Sequence, residues 1–153
     1  MRAMLRKAAV WAVLAAGIPI ASADLVTVRA EPNLERRSRL ALEHADKTLD
    51  AARQSYREGD WAKAQAGLEE VRQAAELALE SLLESGKDAA KGSKYFKSAE
   101  IRTRELVRKL EAFRQQVSYD EQPPVEKVKA VVQKVHDDIL DGIMGKKHTW
   151  GKK

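Results

Sequence analysis

Three histidines are the side chains of this 153-residue chain that could bind a metal ion or act as general bases. A carboxylate-bridged dimetal site in a helical bundle uses Glu-x-x-His pairs, but Ala41 and Gln133 stand three residues before His44 and His136. On a helix, the neighbours His136 and Asp137 would point about 100° apart. The spacing predicts no metal site, and it favours surface positions for His44 and His136 on the flanks of helices.

Other reactive groups are equally scattered. No serine lies in a Gly-x-Ser-x-Gly turn, and no glycine-rich phosphate loop follows a strand pattern. The chain has no cysteine, which excludes thiol catalysis, iron–sulfur clusters and c-type haem attachment. The acidic pairs Glu69-Glu70 and Asp137-Asp138 are consecutive, so on a helix they diverge. We therefore predict no catalytic residue, no cofactor and no enzymatic activity.

The first 23 residues have the pattern of a cleaved secretory signal peptide. Arg2, Arg6 and Lys7 precede an apolar run over residues 8–20, and Ala21-Ser22-Ala23 is a small-residue cleavage motif. The apolar run is shorter than the roughly 20 residues that span a bilayer. The sequence thus predicts cleavage near Ala23, a mature protein that begins at Asp24, and a periplasmic or secreted location.

The formal net charge of +5 comes from the two ends of the chain. Three basic residues lie in the predicted signal, and Lys146, Lys147, Lys152 and Lys153 lie at the carboxyl end. The body between them has a slight excess of acidic residues. A nucleic-acid partner is therefore not expected, although the basic tail over residues 144–153 could make a weak peripheral contact with an anionic membrane.

Apolar residues recur at alternating spacings of three and four in four segments, residues 33–58, 60–85, 94–118 and 124–141. This period is typical of helices that bury one face in a bundle. Gly59-Asp60, residues 86–92 and Pro123-Pro124 provide the breaks. The fold predicted for residues 33–143 is all-α, either an antiparallel four-helix bundle or two packed helical hairpins. Residues 24–32 form a short amino-terminal arm, in which only Leu25 to Val28 could be extended.

The second and third predicted helices have opposite net charges. Glu76, Glu80 and Glu84 repeat at four-residue intervals in the acidic helix, and a neighbouring basic helix would relieve their repulsion. We therefore expect the two helices to lie side by side. The basic helix also supplies three candidate partner-binding residues, Lys97, Arg104 and Arg108, and exchange of Arg104 and Arg108 for glutamate should weaken partner capture.

Residues 45–78 contain a Gly59-Asp60 turn with aromatic, small and large apolar residues at defined positions around it. Tyr56, then Gly59-Asp60-Trp61, then Ala64 and Leu68 resemble the inter-helix half of a tetratricopeptide repeat (TPR). The resemblance implies a TPR-like hairpin of two antiparallel helices, and no second copy follows at a 34-residue period. The whole chain also resembles small exported bacterial helical proteins.

These observations predict a non-enzymatic, exported protein-interaction module, such as an adaptor, scaffold or chaperone-like binder. Trp150 in the basic tail is a further candidate for partner contact. Two alternatives remain open. The alanines of the apolar stripes could leave space for a small ligand in the bundle core. A second apolar edge could instead support a homo-oligomeric structural protein, and its residues are Leu77, Leu79, Leu83, Val131, Leu140 and Ile143.

Overall fold

The computed structural model describes residues 20–91 and 93–146, with side chains from Asp24 onward. This part of the chain contains five α-helices, α1 (Ile20–Arg29), α2 (Leu34–Arg57), α3 (Trp61–Glu84), α4 (Lys94–Gln116) and α5 (Gln122–Ile143). Short 3₁₀ turns cover Ala89–Lys91 and Tyr119–Glu121. The all-α prediction is confirmed, and the four predicted helices begin and end within about two residues of the observed bounds.

Local side-chain chemistry fixes the helix ends. The Asn33 carboxamide oxygen accepts a hydrogen bond from the Arg36 amide at 2.8 Å, which caps α2. Asp60 caps α3 in the same way through the Lys63 amide at 3.0 Å. Gly59 has φ +83°, a conformation that costs glycine little. One glycine and one capping aspartate therefore reverse the chain between α2 and α3.

The helices form two hairpins that pack side by side. Helices α2 and α3 make the first, α4 and α5 make the second, α2 lies beside α4, and α3 lies beside α5. Glu43 pairs with Arg102 and Asp46 with Lys109, so α2 and α4 run in the same direction. Helices α3 and α4 are diagonal to each other. Successive helices thus alternate in direction, while the neighbours across the two hairpins are parallel.

The predicted apolar stripes form the core. Leu110 and Phe113 of α4, Val71 of α3 and Val125 of α5 have no exposed surface, and Leu42 of α2 is 1% exposed. Tyr56 and Trp61 are the stripe residues that stay half-buried. The stripe alanines are buried as well. A Cβ atom added at Gly67 would lie 3.0 Å from the Cβ of Ala52, so small residues bring α2 and α3 close together.

Residues 24–32 were expected to form a short arm, in which Leu25 to Val28 could be extended, and most of this segment is helical instead. Helix α1 continues to Arg29, and Leu25 (5% exposed) and Val28 (9% exposed) belong to the core. Helix α1 contacts α2 and α3. Two apolar residues three positions apart give too short a stripe to be read from the sequence, but they suffice to cover one end of a hairpin. No helix among the described residues is long and apolar enough to cross a membrane.

The expected pairing of the acidic helix with the basic helix is wrong. Lys109 of α4 instead reaches α2, with its Nζ 2.6 Å from Asp46 and 3.3 Å from Asp50. Glu76 of α3 pairs with Arg72 on its own helix at 2.6 Å. The net charge of a helix sums all its faces, whereas pairing depends only on the face that meets a neighbour. The packing of the apolar stripes, rather than the net charge of each helix, therefore determines which helices are adjacent.

Candidate functional site

His44 and His136 are buried, so the prediction that they lie on the surface is wrong. His44 is 8% exposed, and its Nε2 lies 2.7 Å from Glu70 Oε1 on α3. His136 is 9% exposed, with its Nε2 3.0 Å from Glu100 Oε1 on α4 and its Nδ1 3.2 Å from Asp137. Residues beside the apolar stripe of a helix face the other helix of the same hairpin. That helix therefore covers each of the two histidines.

Each histidine–glutamate contact joins the two helices of one hairpin. His44 connects α2 with α3, and His136 connects α5 with α4. A buried polar group that has a hydrogen-bond partner avoids the cost of desolvation. In the described part of the chain, no three His, Cys, Asp or Glu side chains lie close enough to hold a metal ion. The two contacts therefore have a structural explanation that needs no ligand.

An open groove of about 540 Å³ lies at the end of the bundle where α2 ends and α3 begins. Gln116, the last residue of α4, and Glu121, at the end of the following 3₁₀ turn, line its other side. Its volume is in the range of about 300–1,000 Å³ that is typical of ligand sites. We call it the end groove, and its lining residues are Tyr56, Arg57, Gly59, Trp61, Gln116 and Glu121.

Aromatic side chains form one wall of the end groove. The Tyr56 ring meets the Trp61 ring edge to face, with centroids 5.6 Å apart, and meets Phe113 similarly at 5.8 Å. Edge-to-face contacts of this kind are favourable. Phe113 is fully buried, whereas Trp61 is only half-buried. The core thus holds the Tyr56 ring in place, while part of Trp61 remains accessible to a binding partner.

Glu121 contributes a fixed carboxylate to the end groove. The Tyr56 hydroxyl and the Ser118 hydroxyl each donate a hydrogen bond to Glu121 Oε2 at 2.8 Å. The Ser118 amide donates in turn to the Tyr56 hydroxyl oxygen at 3.1 Å. The hydrogen bonds from Ser118 and Tyr56 lower the pKa of Glu121 below its ordinary value. The carboxylate is therefore anionic at neutral pH, and no cationic group of the described residues pairs with it.

Arg57 places a cation on the rim of the same groove. Its Nε and Nη2 donate to the Gln54 carboxamide oxygen at 3.2 and 2.6 Å. Gln54 is neutral, and within the described ranges no carboxylate lies within 4.0 Å of the Arg57 guanidinium. The end groove thus combines an accessible aromatic surface with one anion and one cation, and neither of them is paired with an opposite charge of residues 24–91 or 93–146.

The predicted partner-binding residues Lys97, Arg104 and Arg108 share an exposed face of α4 with Ile101, which is 50% exposed. Successive spacings of four, three and four, from Lys97 through Ile101 and Arg104 to Arg108, place the four residues on one face. Arg104 lies 3.7 Å from Glu100, and Arg108 lies 3.2 Å from Glu105. Both arginines therefore have an acidic neighbour on their own helix. Trp150, the fourth candidate, lies outside the described residues.

The end groove was not predicted from the sequence. Tyr56 and Trp61 follow the spacing of the apolar stripes in residues 33–58 and 60–85, which predicts core positions for both, and no sequence pattern distinguishes Glu121 from the other acidic residues. One signal pointed to the site, because two aromatic residues flank the tight Gly59-Asp60 turn and cannot both be covered by a single hairpin. The other wall follows from tertiary structure, since Tyr56 and Glu121 are 65 residues apart in sequence.

Comparisons with models of protein families and with curated proteins find no match for this chain. The α2–α3 hairpin is observed, with Gly59 at its turn. Its likeness to a tetratricopeptide repeat stays a prediction that rests on the sequence alone. Functional inference for this chain therefore depends on the geometry of its surface.

Proposed function

We propose that this protein is a non-enzymatic, exported protein-interaction module that contacts its partner through the end groove. The observation that supports this function most is the Glu121 carboxylate, which has no cationic partner in the described part of the chain and shares the end groove with the accessible ring of Trp61. Tyrosine, tryptophan and arginine are the residues most enriched at energetically important interface positions, and the end groove contains one of each. A partner that covers the groove would bury the aromatic surface and provide counter-charges.

The end groove is favoured over the basic face of α4 as the main contact surface. Arg104 and Arg108 each have a carboxylate of their own helix nearby, so an acidic partner would have to compete with it. Glu121 and Arg57 have no such competitor among the described residues. Gln116, at the groove rim, lies about 12 Å along the helix axis from Arg108, so the two surfaces can be tested separately.

Neither alternative function has comparable support. A recess between α2 and α4, near Leu42 and Ala99, has a volume of about 10 Å³, which is about the room needed by one water molecule. The alanines of the stripes serve close packing rather than an open core. The second apolar edge is only partly exposed, because Leu77 is buried at 5% exposure whereas Leu83 is exposed at 39%. A core ligand and a homo-oligomer are therefore the less favoured proposals.

Export is supported by the signal-peptide pattern of the first 23 residues. Cleavage after Ala23 would keep Leu25 and Val28, the two core residues of α1, in the mature protein. The predicted cleavage site is thus compatible with the observed core. The function that we propose therefore takes place in the periplasm or outside the cell.

Site-specific photo-crosslinking in living cells tests this function. A photoreactive amino acid is placed at Gln116 on the groove rim, at Arg108 on the basic face, or at Glu80, which is exposed in the middle of α3. We expect one dominant protein adduct from position 116 and none from position 80. An adduct from position 108 alone would move the contact to α4. Absence of protein adducts at both 116 and 108 would contradict the function.

A further inference from the structure

We infer that the end groove binds a basic side chain, lysine or arginine, of the partner protein. This inference rests on the function proposed above and specifies the chemistry of recognition. The juxtaposition that carries it is an anionic carboxylate, Glu121, beside the half-buried indole of Trp61 in one open groove.

The carboxylate is prepared for a cation by its hydrogen bonds. Both side-chain donors, Tyr56 and Ser118, reach Oε2 of Glu121, so Oε1 keeps acceptor capacity for a ligand. The two O–H groups fix the orientation of the carboxylate before binding, which reduces the entropy lost when a partner arrives. Neither donor carries a charge, so the negative charge of Glu121 remains available to a cation.

The aromatic wall favours the same class of ligand. A cation over an indole ring is attracted by the negative face of the ring, and tryptophan is the best of the aromatic residues for this contact. A guanidinium group can also stack flat on a ring while it hydrogen-bonds to a carboxylate. Because the Tyr56 ring packs edge to face against Trp61 and Phe113, the wall cannot rotate freely away from a ligand.

Arg57 adds a positive charge to the end groove, which also contains the negative charge of Glu121. Its positive charge disfavours a second basic group on its side of the groove, so it helps to orient a basic segment with its cation toward Glu121. Arg57 and Glu121 should consequently have opposite effects on a cationic ligand. This opposition separates a true electrostatic contact from general damage to the groove, which would weaken binding in both cases.

The test is a titration of the ¹⁵N-labelled full chain, observed by NMR. The probes are the peptide acetyl-Ala-Arg-Ala-amide and its uncharged analogue, in which citrulline replaces arginine. The Trp61 indole and Gln116 carboxamide signals report on the groove, and the Gln73 carboxamide on α3 serves as a remote reference. We expect the arginine peptide to bind about tenfold more tightly than the citrulline peptide, which corresponds to about 1.4 kcal/mol.

Two variants sharpen the result. Glu121→Gln keeps an oxygen for Tyr56 and Ser118 but removes the charge, and it should bring the arginine peptide down to the affinity of the citrulline peptide. Arg57→Gln should strengthen binding of the arginine peptide by about twofold, equivalent to about 0.4 kcal/mol. Unchanged backbone amide signals of Phe113 and its neighbours in both variants would establish that the groove keeps its shape.

Equal binding of the two peptides to the unmodified protein would overturn the inference without any variant. Tighter binding of acetyl-Ala-Glu-Ala-amide would overturn it as well, because Arg57 would then be the recognising group. If either result accompanies a protein adduct at position 116, only the basic-side-chain inference fails. Absence of protein adducts at both 116 and 108 would instead contradict the proposed function itself.

Discussion

Replacement of Phe113 by alanine should destabilise the protein by about 4 kcal/mol. Phe113 has no exposed surface, and its ring packs edge to face against the Tyr56 ring on the core side. A buried aromatic side chain removes about 150–250 Å² from water, which corresponds to at most about 4–6 kcal/mol at 25 cal/mol per Å². Measured Phe-to-Ala losses of about 3–5 kcal/mol agree with this range.

The assay is urea unfolding followed by circular dichroism, with the free energy of unfolding obtained by linear extrapolation. Phe113→Leu keeps most of the volume and should cost only about 1 kcal/mol. The matched control is Tyr119→Ala, because Tyr119 is an aromatic residue nearby in sequence that is 85% exposed. That change should stay within about 0.5 kcal/mol of the unmodified protein.

Two results would refute this reasoning. A loss below about 1 kcal/mol for Phe113→Ala would mean that the ring is not in the core. A comparable loss for Tyr119→Ala would mean that burial does not distinguish the two positions. The Phe113→Leu variant also bears on the end groove, because Tyr56 would lose its aromatic support while the fold is retained. The Trp61 indole signal should then shift even without a ligand.

Three further predictions concern packing, pH and export. Gly67→Val should lower the free energy of unfolding by about 1–3 kcal/mol, because even a Cβ atom at this position would lie 3.0 Å from the Cβ of Ala52. Urea unfolding measures this loss, and the control Ala66→Val, on the exposed face of α3, should lose clearly less. Hydrogen bonds from Arg114 and Lys129 lower the pKa of Glu111 below its ordinary value. The stabilising effect of the ionised Glu111 carboxylate is therefore fully present above about pH 4.3, the ordinary pKa of glutamate, and is lost as the pH falls through the lower pKa of the folded state. Glu111→Gln should therefore show a weaker fall of the urea midpoint between about pH 5 and pH 2, and an unchanged slope would contradict this. Amino-terminal sequencing of protein from the periplasm should begin at Asp24, whereas recovery of the intact chain there would contradict cleavage.

The helices were predictable because each one carries its own apolar stripe. Residues such as Leu106, Leu110 and Phe113 recur at spacings of four and three, and this pattern is independent of the rest of the fold. The breaks at Gly59-Asp60 and Pro123-Pro124 are equally local. Helix α1 escaped prediction because it contributes only Leu25 and Val28 to the core.

The arrangement of the helices and the site could not be read in the same way. Which helix faces Lys109 depends on how two hairpins dock, and the acids that it meets, Asp46 and Asp50, lie about sixty residues away in sequence. The burial of His44 depends instead on how α2 and α3 pack within one hairpin. Glu121 looks like an ordinary surface acid until Tyr56 is placed beside it. Local patterns therefore predicted the elements, whereas the site arises from contacts between distant segments.

Amide hydrogen exchange tests the central claim most directly, namely that the partner binds at the end groove. The full-length protein is measured alone and in complex with the partner captured through position 116. We predict slower exchange over residues 56–61 and 116–121, with residues 97–108 of α4 unchanged. Slower exchange over residues 97–108, with the end groove unaffected, would contradict the account and assign binding to the basic face of α4.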